Sequence, residues 1–506
     1  MKRHRRNQRG ISSIVGTLFF ILIVLIALSV LMLIFNSFTG YANLVKQTNQ
    51  QDLQNKETSL SISSFSFGTP TTVTVGTSNT GSATAYSFER KLLYSQGLWW
   101  LFYSNGSDIA YQTSSDGMNW SGSSVLVSVA PGSDSGFSFS LWLQGSTLYY
   151  VLATDSTQNG QQGFDWGSAT LNSSGYIFAT VHTVSTTNQL TSNYDSITVD
   201  SSGNVWVAIN TNNSGTHALE VWELKSGTWY QENFINQVPA DTSPVLLPLT
   251  SGIALIYGTG ASTGTVSITT TTNGASWSPQ ISPPSNYAFF DSSAIFVGNT
   301  IYFVGLASSS AGATSGSLDF WSYSFGAAST SIETALVPEV NSWMASISQV
   351  NGTFIVFYGE GNDVYQVVSM DQGGSWGPAQ LLSNSESSIA GLTSAEYSPG
   401  VVWTSATSSP FTVRFLSPSI VVVSSTTPFA VHLISLYLYS PSMNTLVHFD
   451  TNASASGVAG RFDYWIGQGQ ALTIPIFFNF ASGQAYLITL TTDTGLIFTA
   501  SATSPI

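Results

Sequence analysis

The pattern of apolar and polar positions divides the chain into three textures. From Ile14 to Phe35 the sequence is uncharged and strongly apolar for 22 residues. A helix of that length, at about 1.5 Å per residue, reaches roughly 33 Å, enough to cross a hydrocarbon layer of about 30 Å. Residues 36–58, with Leu44, Val45, Leu53 and several Gln, lack Pro and read as a polar continuation of the same helix. From Ser59 onward apolar and hydroxyl residues alternate, as in Leu-Ser-Ile-Ser-Ser-Phe-Ser-Phe and Thr-Thr-Val-Thr-Val, the period of two that marks strands.

Within 86–418 one unit recurs at a spacing near 50 residues: an apolar strand, a short Gly-containing turn and a second apolar strand rich in aromatics. Its copies begin at Lys91, Ser140, Ser196, Val245, Ser293, Ala345 and, more weakly, Thr393. Hairpin-rich repeats of about 40 to 50 residues predict the four-stranded blades of a β-propeller. Residues 419–506 alternate again and predict a small β-sandwich.

Three copies are followed by a distinctive turn: Ser114-Ser-Asp116-Gly117-Met-Asn-Trp120, Thr271-Thr-Asn273-Gly274-Ala-Ser-Trp277 and Ser369-Met-Asp371-Gln-Gly373-Gly-Ser-Trp376. The carboxylate or amide suits accepting backbone N–H groups, the glycine a positive φ, and the indole covering the loop. These turns resemble the Asp box, or BNR repeat, of sialidase-like propellers, and the resemblance covers about 330 residues. It implies a latch, so Asp116 and Asp371 are expected to be structural.

The amino terminus carries Lys2, Arg3, Arg5, Arg6 and Arg9, and no further charge until Lys46. Under the positive-inside rule this leader stays cytoplasmic and the bulk of the chain lies outside. The run Arg9-Gly10-Ile11-Ser-Ser-Ile-Val-Gly-Thr resembles the class III signal peptide of archaeal type IV pilins. The resemblance implies cleavage between Gly10 and Ile11, a helix retained in membrane lipid through 14–35, and pilin-like subunits as partners of that helix. Val15 stands where many bacterial pilins place a carboxylate, which weakens the case for bacterial-type filament packing. An uncleaved single-pass anchor shares the same pattern and stays open. The closing Tyr486-x-Ile-x-Leu-x-Thr-x-x-Gly-x-Ile-Phe, with Val73 to Gly81, is similar to archaeal pilin-like head domains. It implies one sandwich split between 59–85 and 419–506, with an independent C-terminal sandwich as the alternative.

The expected organisation is thus a leader over 1–10, a transmembrane helix over 11–58, the first sandwich strands over 59–85, a propeller of six or seven blades over 86–418 and a sandwich over 419–506. The fold class is an all-β extracellular region behind one N-terminal transmembrane α-helix.

Charge narrows the partners. Beyond Ser59 five basic residues face twenty-four acidic ones, a balance of −19, and without clustered Lys and Arg nucleic acid is excluded. Six sequons, at Asn105, Asn119, Asn172, Asn212, Asn351 and Asn452, fit an exported glycoprotein. No cysteine is present, so stability rests on packing and hydrogen bonds.

Sialidases grip the substrate carboxylate with three arginines, whereas 86–418 contains only Arg90 and Arg414. Lysine replaces the bidentate guanidinium poorly, so sialidase activity is not expected. Aligned on their second strands, the repeats place Glu89, Asp195 and Asp291 near one position, with Phe139 and Trp343 at the corresponding places of two other copies. There they would face the mouth of the central channel as acceptors and apolar platforms for a glycan. Acids that satisfy loop N–H groups are the plainer reading. His182 and His217 are isolated, His432, His448 and Asp450 would meet only across a hairpin, and neither a metal nor a cofactor is expected. The expected function is a non-enzymatic, membrane-anchored, pilin-like surface protein for adhesion, glycan binding or envelope structure. The alternative is an exported glycoside hydrolase or lyase using paired carboxylates.

Overall fold

The computed structural model describes residues 18–26, 32 and 60–503, apart from 67–70, 129–138, 154–162, 187–188, 214, 240–241, 260–264, 288–291, 309–314, 327–329, 342–343, 351–352, 370–371, 385, 387, 399, 406, 418, 426–430, 441–444, 452–463, 467–470 and 477–484. Gly10, Ile11, Asp291, Trp343, Asn351, Asp371 and Asn452 lie outside the described residues. Residues 18–26 are helical and exposed along their length, and among the described residues no helix is long and apolar enough to cross a membrane.

Seven antiparallel sheets follow one another along the chain, each ordered outward from an inner strand. Those inner strands are Leu92–Ser95, Phe139–Gln144, Gln189–Val199, Val245–Pro248, Ser293–Val297, Ala345–Val350 and Ile389–Ser394. Alternation explains why sheets form. In Leu98–Ser104, for instance, Leu101 and Tyr103 look to one neighbouring sheet while Trp100 and Phe102 look to the other, so both faces are buried and the strand is almost wholly apolar. In the tight turn between the first two strands Gln96 and Gly97 both have positive φ, 57° and 77°, the geometry that matches the twist of a hairpin.

The ring closes through seven apolar clusters, each shared by two adjacent sheets; the one holding Leu92, Trp99 and Tyr103 joins the first sheet to Val402, Val413 and Phe415 of the seventh. This is the arrangement of a seven-bladed β-propeller. The fourth sheet has three strands, with its outer position reduced to bridges at Ile281 and Trp277. Inner strands of neighbouring blades are linked by serine: Ser140 Oγ accepts Ile197 N–H (3.3 Å), Ser196 Oγ accepts Leu246 N–H (3.0 Å), Ser293 Oγ accepts Ile347 N–H (3.3 Å) and Ser346 Oγ accepts Ser394 N–H (3.0 Å). These hydroxyls satisfy backbone donors that face a blade boundary and have no ladder partner.

One boundary needs correction. Thr71–Ser78, expected in the sandwich, pairs with Phe411–Ser417 and forms the outer strand of the seventh blade, so the ring is fastened by a strand that precedes all the others. Leu60–Ser66 pairs with Ser419–Ser425, which pairs with Ala471–Ile476 in a three-stranded sheet outside the ring. A further sheet contains Val431–Ser440, Thr445–Thr451, Tyr464–Ile466, Ala485–Thr492 and Ile497–Thr503. Its buried set shifts from Val431 and Leu433 to Leu436 and Leu438 across a register break between Leu433 and Ser435, because an extra residue turns the following side chains to the other face.

Candidate functional site at the propeller axis

The segment entering the first blade crosses the axis. Ser87–Glu89 forms a single 3-10 turn lying against the inner strands of five blades. Arg90 follows in a left-handed conformation (φ 54°) that turns the chain into Leu92–Ser95. Gly391 of the seventh blade also has positive φ, and a side chain there would meet Ala85 N at 2.5 Å, so glycine lets the axial segment approach.

The Glu89 carboxylate, itself fully buried, accepts from Tyr86 N–H at 2.9 Å and pairs with the equally buried Lys91 ammonium at 2.6 Å. Lys91 also donates to the Phe139 carbonyl and lies 3.6 Å from that ring's centre. The structure therefore brings together Glu89 and Phe139 from the expected channel-mouth set, joined by a lysine that the repeat alignment did not single out. They do not face a mouth. Glu89, Phe139 and Asp195 are all 0% exposed, which corrects their expected role as an open ligand platform. The physical reason is the axial segment itself, which fills the space an empty channel would leave.

Arg90 is the stopper. Its guanidinium donates to Ile347 O and Ala294 O at 2.8 Å each, and reaches Ser346 Oγ at 3.4 Å and Ser394 O and Oγ at 3.5 Å, tying three inner strands together. The turn after Ser394 brings Glu396 and Tyr397 toward it. Both keep part of their surface in contact with solvent, unlike Arg90. Burial raises the Glu396 carboxyl above the usual carboxylate range, against the Arg90 charge and a hydrogen bond from Tyr397. Burial, with the Glu396 charge, holds the Tyr397 phenol well above its ordinary value. Burial pulls Arg90 down, opposed by Glu396 and Tyr397. Glu396 Oε1 is buried without a hydrogen-bond partner. Such an atom costs about 1–3 kcal/mol, so its retention suits a site that supplies a donor from outside. Neither residue was legible as a site in sequence, since an acid beside a tyrosine in a hairpin turn matches any solvated loop.

The box-like turns lie between third and fourth strands, on the same edge of the ring as the Glu396 turn. In the first, Asp116 Oδ1 accepts Met118 and Asn119 N–H at 2.8 and 2.7 Å, Ser114 Oγ accepts Gly117 N–H at 2.9 Å, and the Trp120 indole donates to Gly117 O at 3.1 Å. The second repeats each bond with an amide: Asn273 Oδ1 accepts Ala275 and Ser276 N–H at 3.1 and 3.0 Å, Thr271 Oγ1 accepts Gly274 N–H at 2.9 Å, and Trp277 donates to Gly274 O at 2.8 Å. In the third, Ser369 Oγ accepts Gly373 N–H at 2.8 Å. Trp120 packs 5.1 Å from Phe415 and Trp376 5.0 Å from Phe320, each on the preceding blade.

Among the sequons, Asn119 and Asn172 are exposed, Asn105 is half-buried and Asn212 lies in Val205–Asn213. His432 faces Asp493 at 3.2 Å, and among the described residues no group of three or more metal-type side chains is present.

No protein-family model matches the chain, and no curated protein matches it. Among solved structures it is similar to a Trypanosoma rangeli sialidase in complex with the inhibitor DANA (12% identity, 87% of this chain and 89% of that chain, TM-score 0.39). It is also similar to the polysaccharide lyase Uly1 (8% identity, 67% and 91%, TM-score 0.42) and to YjhT (10% identity, 57% and 97%, TM-score 0.35). The expectation of a non-enzymatic exterior is corrected to this extent: a sialidase and a polysaccharide lyase are among the similar structures, and a non-catalytic role is not supported. At these identities no activity or residue role passes from them to this chain.

Proposed function

We infer that the chain is a membrane-tethered surface protein whose propeller engages a saccharide at the axial mouth formed by Arg90, Glu396 and Tyr397. The observation that carries this reading is the unpartnered Glu396 Oε1 in a buried setting beside a phenol that solvent reaches. A polyhydroxylated ligand offers the donors that Oε1 lacks, and a further hydroxyl can donate to the Tyr397 phenolic oxygen. The exterior balance of −19 disfavours polyanions. The basic leader and the apolar run over 14–35 support the tether, with Gly10 and Ile11 as the processing junction and the box-like turns as structural latches of the sialidase-like kind.

The test is a glycan array probed with the full chain in detergent, with the bound saccharides then assayed for cleavage. Glu396→Gln and Tyr397→Phe are expected to weaken binding about tenfold, roughly 1.4 kcal/mol. Undiminished binding in both would move the ligand elsewhere. Amino-terminal sequencing of the membrane fraction tests the tether: Ile11 supports the pilin-type junction, and Met1 leaves a plain anchor.

A further inference from the structure

The third-to-fourth-strand loop of the second blade has no box-like turn, and in its place presents aromatic surface. Phe178 is 80% exposed, Tyr176 54% and Val181 48%, the two rings in edge-to-face contact at 5.0 Å. An exposed apolar group of this kind on so polar a surface calls for a cover. The same loop begins with the sequon Asn172-Ser173-Ser174. Asn172 is exposed, its Oδ1 accepts Ser174 N–H at 2.9 Å and also the Ser174 hydroxyl, and its Nδ2 donates to Tyr176 O at 2.9 Å. The amide nitrogen therefore starts at the backbone of the residue whose ring needs covering.

We propose that Asn172 carries an N-linked saccharide that packs on Tyr176 and Phe178 and forms part of the folded surface of the second blade. The donor is a lipid-linked sugar phosphate or pyrophosphate. Asn172 Nδ2 forms the bond to the anomeric carbon, the carbon–oxygen bond to the lipid phosphate breaks, the phosphate leaves with that electron pair, and one Nδ2 proton passes to a base of the transferase. The second Nδ2 proton remains and keeps the bond to Tyr176 O, so attachment leaves the loop intact. Sugar C–H faces then stack on the rings while the hydroxyls stay in water. Asn119 contrasts with this, because its Nδ2 donates to Asp116 Oδ2 at 2.8 Å inside the turn.

The proposal rests on the exported reading, and its test separates the two. Full chain purified from its own cells is analysed by mass spectrometry across all sequons, and bis-ANS fluorescence is read before and after removal of N-glycans. Asn172 is expected to be occupied, and deglycosylation to raise dye fluorescence several-fold in wild type but not in a Tyr176→Ser, Phe178→Ser variant. Asn172→Gln should show the raised fluorescence without treatment. A bare Asn172 beside other occupied sequons overturns this proposal alone, as does deglycosylation without a change in dye binding. A chain bare at every sequon overturns it as well, and the exported reading is then decided by the sequencing of the membrane fraction.

Discussion

Two acid–base groups sit on the same axis and have opposite characters. Glu89 and Lys91 are both 0% exposed and paired at 2.6 Å, Glu89 also accepting from Tyr86 N–H and Lys91 also donating to Phe139 O. Glu396 and Arg90 also oppose charges, but Arg90 spends its donors on Ile347 and Ala294 carbonyls and Glu396 keeps an oxygen unsatisfied. Burial alone does not distinguish a structural ion from a functional one. The distinction lies in whether every polar atom is matched within the chain, because an atom matched internally has nothing left for a ligand.

The sharpest way to break this contrast is to remove one partner of the closed pair. Lys91→Met is expected to destabilise the propeller by about 3–5 kcal/mol, since it leaves a buried carboxylate uncompensated, while Glu89→Gln with Lys91→Met should recover much of that loss. Chemical denaturation followed by tryptophan fluorescence reads both. A small effect for Lys91→Met alone would mean that Glu89 is protonated and the pair is no ion pair.

Removing the charge of the open group is expected to cost less stability and more binding. Glu396→Gln should change stability by under about 1 kcal/mol, because burial disfavours the carboxylate charge in the folded state, yet weaken saccharide binding about tenfold. The pH dependence follows in sign. A carboxyl whose folded value is raised binds its proton more tightly in the native state, so its stabilising contribution falls as pH rises from the ordinary carboxylate range through the raised value. A ligand that uses the charged oxygen binds better across the same window. Glu396→Gln should flatten both slopes, and equal slopes in the variant would assign the titration to another group.

The sequence made one half of this comparison legible and hid the other. Seven strand–turn–strand copies follow from alternation and turn glycines, because each copy carries its own local signal. The closing strand Thr71–Ser78 carries the same alternation but no sign of its place: Val73 pairs with Phe415, and nothing near Val73 reveals so distant a partner. Glu89 and Phe139 were legible as aligned positions, but their burial was not, since alignment of strands does not show that a loop fills the axis. Glu396 escaped because its neighbours supply no spacing rule. Asp116 and Asn273 were legible together for the opposite reason, as the same three bonds demand the same residue types at the same separations.

That equivalence sharpens the comparison at its smallest scale. Asp116 and Asn273 accept the same two backbone donors with the same geometry, one as a carboxylate and one as an amide. Burial would raise the Asp116 carboxyl, but hydrogen bonds from Asn119, Met118 and Ser114 outweigh it and hold the carboxyl below its ordinary value. A depressed carboxyl gives stability that is present above the unfolded value and lost as pH falls through the folded one, the reverse of Glu396. Asp116→Asn converts the first turn into the second and keeps the oxygen that accepts Met118 and Asn119, so at neutral pH the expected loss is under about 1 kcal/mol. Below the ordinary carboxylate range the variant should be the less acid-sensitive protein. Thermal melts of both proteins between neutral and acid pH read the outcome, and a variant that loses stability in acid as steeply as the wild type would place the acid-sensitive latch elsewhere in the ring.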